Sequence, residues 1–250
     1  MTMRNIVVFG ATSAIAQDAL RVFVRRGASV YCVGRNPDKL AAVVADLRVR
    51  ASEAQIVDGK VADLLDTTGH PALFTAARAS LGDIDAVLIA HGTLPDQGQC
   101  EMSVERTLVS IAENGTSVVS LLTLAANEFS ASGRGVIAAI SSVAGDRGRQ
   151  SNYIYGASKS LVSTFMQGLR NRLASRGVQV VTIKPGFIDT PMTAAFSKTG
   201  PLWTSSARAG RAVAEAMDKG RDVAYVPGYW WWIMACLRHV PEPVFKRLKL

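Results

Sequence analysis

Residues 9–17 read FGATSAIAQ, following the β-branched run Ile6-Val7-Val8 and leading into the helix-patterned QDALRVFVRRG of residues 17–27. A strand, a tight turn and a helix in that order make the opening unit of a parallel α/β sheet. Gly10 suits the tight turn, and the N-terminus of the helix offers free N–H groups to a phosphate. Alanines stand at positions 14 and 16, where a dinucleotide-binding turn carries its second and third glycines. A methyl at Ala16 still permits close helix–strand packing, whereas one at Ala14 crowds the approach of backbone to a pyrophosphate. Taken alone, the stretch fits both a nucleotide cradle and a plain structural turn.

The same alternation runs to the end of the chain. NIVVFG, ASVYCVG, QIVDGKVA, DAVLIAHG, GVIAAISS, VQVVTIKPG and DVAYVPG read as seven strands, separated by amphipathic helical segments. Gly27, Gly82 and Gly177 are placed to cap helices in the left-handed conformation. Strands apolar on both faces and joined by crossover helices predict a doubly wound parallel sheet, a Rossmann-type α/β domain. No linker or repeat divides it. Residues 1–228 are expected to form the domain, and 229–250 an aromatic and basic extension of it. In such sheets ligands sit beyond the carboxyl ends of the strands.

Composition narrows the class of protein. Of 250 residues 48% are apolar, enough for a substantial core. Three scattered cysteines (Cys32, Cys100, Cys236) have no metal-ligand or redox spacing, so no metal is expected and a reducing, cytoplasmic setting is. Met1–Asn5 runs straight into a strand, which does not read as a secretory signal. The net charge of +8 is not gathered into a basic tract interleaved with aromatics before the last dozen residues, which argues against nucleic acid as partner.

The second strand ends in YCVGRNPDKL with no acid to meet a ribose 2′-hydroxyl. Arg35 stands there instead, either as an ordinary surface arginine or as a fork for a 2′-phosphate. The second reading predicts NADP(H) in preference to NAD(H). The fifth strand closes in ISSVAG, and thirteen residues after Ser142 comes YGASK, with Tyr155 and Lys159 four apart on one helix face. A phenol with an ordinary pKa near 10 exchanges protons poorly at neutral pH, and a neighbouring ammonium is expected to lower it. Ser142 can donate to the same substrate oxygen. A bare Tyr-x-x-x-Lys occurs by chance in many helices, but a strand-end serine upstream makes chance a weak account.

With these residues the sequence resembles the short-chain dehydrogenase/reductase family over essentially its whole length. ENGTS (113–117) looks like the family's asparagine motif and implies Asn114 as a fourth catalytic residue beside Ser142, Tyr155 and Lys159. The resemblance further implies a cofactor held by Gly10, Thr12, Ser13, Ala14, Ile15, Arg35, Asp63, Leu64, Ala90 and Gly92, with Tyr155 and Lys159. Pro185, Gly186, Ile188 and Thr190 from KPGFIDTPM complete that set, and Asp63 is the residue that would meet the adenine. The loop after the fourth strand departs from the family's Asn-Asn-Ala-Gly and reads IAHG, which leaves His91 as either a catalytic base or a structural residue beside the cofactor. The implied reaction is hydride transfer between nicotinamide and a carbonyl or secondary alcohol.

The segment after Thr190, about 190–204, is the expected substrate lid. YWWWIMACLRHVPEPVFKRLKL (229–250) is too short in its apolar part to span a bilayer. Trp230, Trp231 and Trp232 with Arg238, Lys246, Arg247 and Lys249 fit a segment in a membrane interface, or a strip packed on the protein itself. This tail and AGDRGRQSNYIYGASK resemble the reductases of polyprenyl-phosphate-linked 2-keto pentoses, the decaprenylphosphoryl-2-keto-ribose reductase subgroup. That implies a lipid-linked carbonyl substrate and peripheral contact with the inner face of a membrane. A soluble reductase of a small ketone or 3-oxoacyl thioester, and a silent dinucleotide-binding scaffold, are the alternatives. The family assembles through its fourth and fifth long helices, which here carry the apolar Leu121, Leu122, Leu161 and Phe165; some of these must face the sheet, and the others offer surface for a homodimer or homotetramer.

Overall fold

The computed structural model describes residues 3–248; Lys249, expected in the basic tail, lies outside them. Seven strands form one parallel sheet: β1 (Asn5–Phe9), β2 (Ser29–Gly34), β3 (Val57–Val61), β4 (Ala86–Ile89), β5 (Gly135–Ile140), β6 (Val178–Pro185) and, after a two-stranded pair, β9 (Val223–Val226). Their order is β3-β2-β1-β4-β5-β6-β9. The seven segments read from the sequence are these seven strands. Between β6 and β9 the chain adds β7 (Phe187–Asp189) and β8 (Trp203–Ser205), a separate parallel pair that the sequence reading does not contain.

The alternating side chains of the strands explain the double winding. Ile6 and Val8 of β1 point to one layer, with helices α1 (Ala14–Arg25), α2 (Pro37–Arg50) and α8 (Ser206–Asp218). Val7 and Phe9 point to the other, with α3 (His70–Leu81) and α6 (Ser117–Ser132) and α7 (Tyr153–Leu173). All four residues are fully buried, and such burial contributes roughly 1.5–3 kcal/mol per large apolar side chain. Gly27, Gly82 and Gly177 all take positive φ; Gly177 is in the left-handed helical region, whereas Gly82 has ψ −137°.

The short helix α4 (Gln97–Glu101) precedes α5 (Val104–Ile111), which continues through a π-turn (Ala112–Thr116) into α6. Residues 104–132 are long and apolar enough to cross a bilayer by composition. In the fold they pack on β4, β5 and α7, and Leu121 and Leu122 are fully buried. Those two leucines therefore face the sheet and offer nothing to a second subunit, whereas Leu161 on α7 is exposed. The chain ends in α9 (Trp230–His239) and α10 (Glu242–Phe245).

Strand order reverses between β1 and β4, so the connections leaving these two strands diverge and open a crevice at their carboxyl ends. The candidate site segments follow the carboxyl ends of β1 to β6 around it, with Asn114, Tyr155 and Lys159 on helical segments.

Candidate active site

Gly10 is at φ +79°, and its N–H and that of Ala11 both donate to the Val33 carbonyl at 2.9 Å, pinning the turn to β2. A Cβ on Gly10 would lie 2.4 Å from the backbone nitrogen of His91, so only glycine fits between the β1 and β4 loops. Ser13 precedes α1 without a side-chain cap, and no acid occupies the first turn. That leaves an uncapped, electropositive helix terminus at the edge of the crevice. Ala14 lines the crevice, while Ala16 is fully buried among the core residues of the α1 layer.

The crevice, about 390 Å³, gathers Gly10, Thr12, Ser13, Ala14, Ile15, Arg35, Asp63, Leu64, Ala90, Gly92 and Thr190, all singled out from the sequence. It fits a dinucleotide on the structure's own terms: a backbone cradle at Gly10, free N–H groups at α1 and no acid at the end of β2. Arg35 is largely exposed and reaches to 3.9 Å from Glu113 across the crevice. Asn36 caps α2 by accepting from the Lys39 N–H at 2.9 Å, and Lys39 is a second cation on the crevice wall that the sequence reading missed. Its position three residues after an N-cap asparagine was the available signal.

A smaller cavity, about 170 Å³, adjoins the crevice. Ser142, Tyr155 and Lys159 line it together with Pro185, Gly186, Ile188 and Thr190. Ser142 ends the β5 connection, where its Oγ accepts from the Ala144 N–H at 3.0 Å, and Tyr155 and Lys159 stand one turn apart on α7. The Lys159 ammonium donates to the Ile140 carbonyl at 3.1 Å and lies 5.6 Å from the Tyr155 ring centre. Asn114 lines neither space. It is fully buried behind Gly92 on the π-turn, donating to the Ser110 carbonyl at 3.1 Å and accepting from the Thr93 N–H at 2.9 Å. A Cβ on Gly92 would meet the Asn114 Oδ1 at 2.7 Å and the Lys159 Nζ at 3.3 Å, so glycine is what lets these two groups converge.

Burial pushes the Tyr155 phenol up to about 12, against a lowering hydrogen bond with Ser142, and pulls the Lys159 ammonium down to about 8. The sequence reading expected the lysine to lower the tyrosine. Burial dominates the phenol instead, Lys159 is not among the groups that shift it, and the resting phenol is protonated. His91 is held down to about 3, first by burial and then by the charge of Lys159, so it is neutral and a poor base. Its Nε2 lies 2.7 Å from the Ser117 Oγ, which itself donates to the Glu113 carbonyl at 3.2 Å. That chain assigns the proton to Nε2 and leaves Nδ1 as a buried acceptor without a partner.

The lid read from 190–204 comprises a helical turn (Pro191–Thr193), an irregular stretch and the start of β8. Phe187 of β7 stacks on Trp203 of β8 with ring centres 5.3 Å apart, and meets Trp230 of α9 edge-on at 5.1 Å. Trp230 is buried with Met234 against Val143, whereas Trp231 and Trp232 are exposed. The two readings of the tail thus divide by residue. Arg147 locks this helix down by donating to the Leu237 and Val240 carbonyls at 2.6 Å, with Phe245 packed on its guanidinium.

A model of the short chain dehydrogenase family matches residues 4–200. This chain belongs to that family. An uncharacterized oxidoreductase of Mycobacterium tuberculosis is 32% identical, with 97% of this chain and 96% of that one covered. Another, from Streptomyces coelicolor, is 32% identical over 98% and 96%. A short-chain dehydrogenase/reductase structure from Mycobacterium ulcerans superposes with TM-score 0.81 at 24% identity, covering 91% of this chain and 90% of that one. Actinorhodin polyketide ketoreductase, solved with NADPH, superposes with TM-score 0.80 at 22% identity over 91% and 97%. These likenesses establish the Rossmann-like fold, and family membership makes the chain an NAD(P)-dependent oxidoreductase.

Proposed function

We propose that this chain is an NADPH-dependent carbonyl reductase whose site is Ser142, Tyr155 and Lys159, with Asn114 behind them. The observation that carries the reading is one cavity lined by all three of the first set, opening onto the nucleotide crevice. Gly10 and Thr12–Ile15 would hold NADPH, Arg35 and Lys39 would meet its 2′-phosphate, and the cofactor when bound would supply a hydride for the carbonyl carbon. The Tyr155 hydroxyl, protonated at neutral pH, donates a proton to the carbonyl oxygen as general acid. Ser142 donates a hydrogen bond to that same oxygen and favours the developing negative charge. Lys159 holds positive charge below pH about 8 near the phenol as it loses its proton. Asn114 positions the Gly92 loop through Thr93, and Thr190 lies where the two spaces meet.

The substrate class we favour is a lipid-phosphate-linked keto sugar. A cavity of about 170 Å³ encloses a sugar-sized carbonyl fragment and leaves a long tail outside. Met192, Phe196 and Leu202 of the lid are exposed apolar side chains that such a tail could cover. Trp231 and Trp232, with exposed Arg238, Lys246 and Arg247, support peripheral membrane contact. Exposed Leu161, Leu108 and Val109 support a homo-oligomer through α5 and α7. The test is NADPH oxidation with a synthetic polyprenyl-phosphate keto-pentose, beside small ketones and a 3-oxoacyl thioester. Turnover concentrated on the thioester or on small ketones would replace the lipid-linked reading.

A further inference from the structure

Arg147 and Arg149 sit two residues apart on the connection from β5 to α7, and the fold uses them in opposite ways. Arg147 has a full set of partners: three backbone carbonyls, the Glu242 carboxylate at 2.9 Å and the Phe245 ring. Arg149 has none among the described residues. It forms no ion pair, its side chain makes no hydrogen bond, and its Nε is buried without a partner. Three residues on, the Asn152 Oδ1 is likewise buried and unpartnered. Both side chains line the cavity that holds Ser142, Tyr155 and Lys159.

The charge inside that cavity is one-sided. Its lining contains the cations Arg149 and Lys159 and no aspartate or glutamate. The nearest acid in sequence, Asp146, is already engaged by Lys184 at 2.5 Å and by the Tyr225 hydroxyl at 2.7 Å. A buried donor such as the Arg149 Nε and a buried acceptor such as the Asn152 Oδ1 are costly to leave unpaired. Burial also holds the Arg149 guanidinium below its ordinary pKa, as expected for a cation short of counter-charge. The rest of the lining includes the apolar Leu94, Phe187, Phe196 and Trp203.

We propose that Arg149 and Asn152 form the substrate-recognition wall of this cavity, Arg149 taking an oxyanion of the substrate and Asn152 a neighbouring hydroxyl. A planar guanidinium pairs with carboxylate or phosphate through two parallel hydrogen bonds, and an amide oxygen accepts from a hydroxyl. The substrate is then a hydroxylated carbonyl compound bearing a phosphate or carboxylate close to the reacting carbon. This rests on the assignment of the cavity as the site of carbonyl reduction and narrows what it accepts.

The test uses the full chain with NADPH and compares dihydroxyacetone, its phosphate, pyruvate and a polyprenyl-phosphate keto-pentose. The wild type is expected to favour the charged compounds over dihydroxyacetone in kcat/KM. Arg149→Gln should lower the charged compounds by about 100-fold, as for loss of a charge-assisted pair, and leave dihydroxyacetone and NADPH affinity unchanged. Arg149→Lys should recover part of the loss. Asn152→Asp, which sets a carboxylate beside the guanidinium, should act in the same direction as Arg149→Gln. The lipid-linked and free phosphates separate the two sources of anion, since only the former gains from the apolar lid. Calorimetric binding of dihydroxyacetone phosphate and dihydroxyacetone to the NADP⁺ complex needs no turnover. A charge preference there that Arg149→Gln abolishes supports the wall even if no compound is reduced. Equal binding of the two compounds, or an equal loss for charged and neutral ones in Arg149→Gln, overturns it.

Discussion

The indole of Trp230 occupies the space a side chain on Gly186 would need: a Cβ at Gly186 would fall 1.9 Å from the Trp230 Nε1. Gly186 opens the loop that carries Ile188 and Thr190 to the cavity, and Trp230 opens α9. Helix α9 therefore backs the loop that lines the site, although none of its own residues lines the cavity. Gly186→Ala is expected to destabilise the protein by roughly 1–3 kcal/mol through overpacking, and Trp230→Ala by about 3–5 kcal/mol through a cavity. In the double variant the added methyl meets no indole, so denaturant unfolding should give clearly less than the sum. Additive losses would separate the two residues.

Arg35 and Lys39 both line the crevice, β2 ends at Gly34 without an acid, and Asp38, between them in sequence, is not on the crevice wall. Arg35→Asp should weaken NADPH binding by about 10- to 100-fold, the loss of a bidentate charge-assisted pair, and leave NADH within a few-fold. Lys39→Ala should cost less, because it is a single point charge. Fluorescence titration with both cofactors measures this; an unchanged NADPH preference in Arg35→Asp would remove the 2′-phosphate assignment.

Lys159 gives a stability signature with a definite sign. Its pKa in the fold is about 8, below the ordinary 10.5, so between these values the unfolded chain holds more protons. Stability contributed by this residue rises with pH across that window. Lys159→Met escapes the penalty, so its stability relative to the wild type should be greatest near pH 7 and shrink toward pH 10. A difference independent of pH would contradict the burial of a titrating ammonium.

Trp231 and Trp232 are exposed, whereas Trp230 is buried. Truncating residues 229–250 would therefore damage the site along with any membrane contact. The sharper comparison is Trp231→Ser with Trp232→Ser in the full chain, which leaves Trp230 in place. Flotation with vesicles containing anionic lipid should fall several-fold in that double variant while NADPH affinity stays constant. Equal flotation would leave the exposed rings without a membrane role.

The sheet was legible because the inner strands β1, β2, β4, β5 and β6 are short apolar runs buried on both faces and bounded by glycine or a polar turn, whereas the edge strand β3 is half polar. The site was legible for the same reason: Ser142, Tyr155 and Lys159 stand just past strand ends or on the helix after one. What stayed hidden depends on contacts between distant segments. No local pattern in ENGTS marks the π-turn that buries Asn114 behind Gly92, and none in FIDT or WTS announces β7 and β8, each three residues long. Which of Leu121, Leu122 and Leu161 face the sheet is likewise set by the fold: α6 buries the first two, and α7 leaves Leu161 exposed. Arg149 lay inside a quoted stretch, but only the cavity reveals that it has no counter-charge. The alanine-substituted turn came out differently at its two positions: Ala16 serves helix–strand packing, and Ala14 alone faces the crevice.

Proton donation from Tyr155 to a substrate oxygen is the central claim, and Tyr155→Phe tests it with the loss of a single oxygen. With a reducible ketone and NADPH, the rate of NADPH oxidation should drop by about 10³-fold, within the range for a general acid. NADPH affinity measured by fluorescence should stay within about two-fold, because the phenyl ring keeps the packing and the change in binding free energy is then a fraction of a kcal/mol. A variant that turns over near the wild-type rate would contradict the assignment of the site.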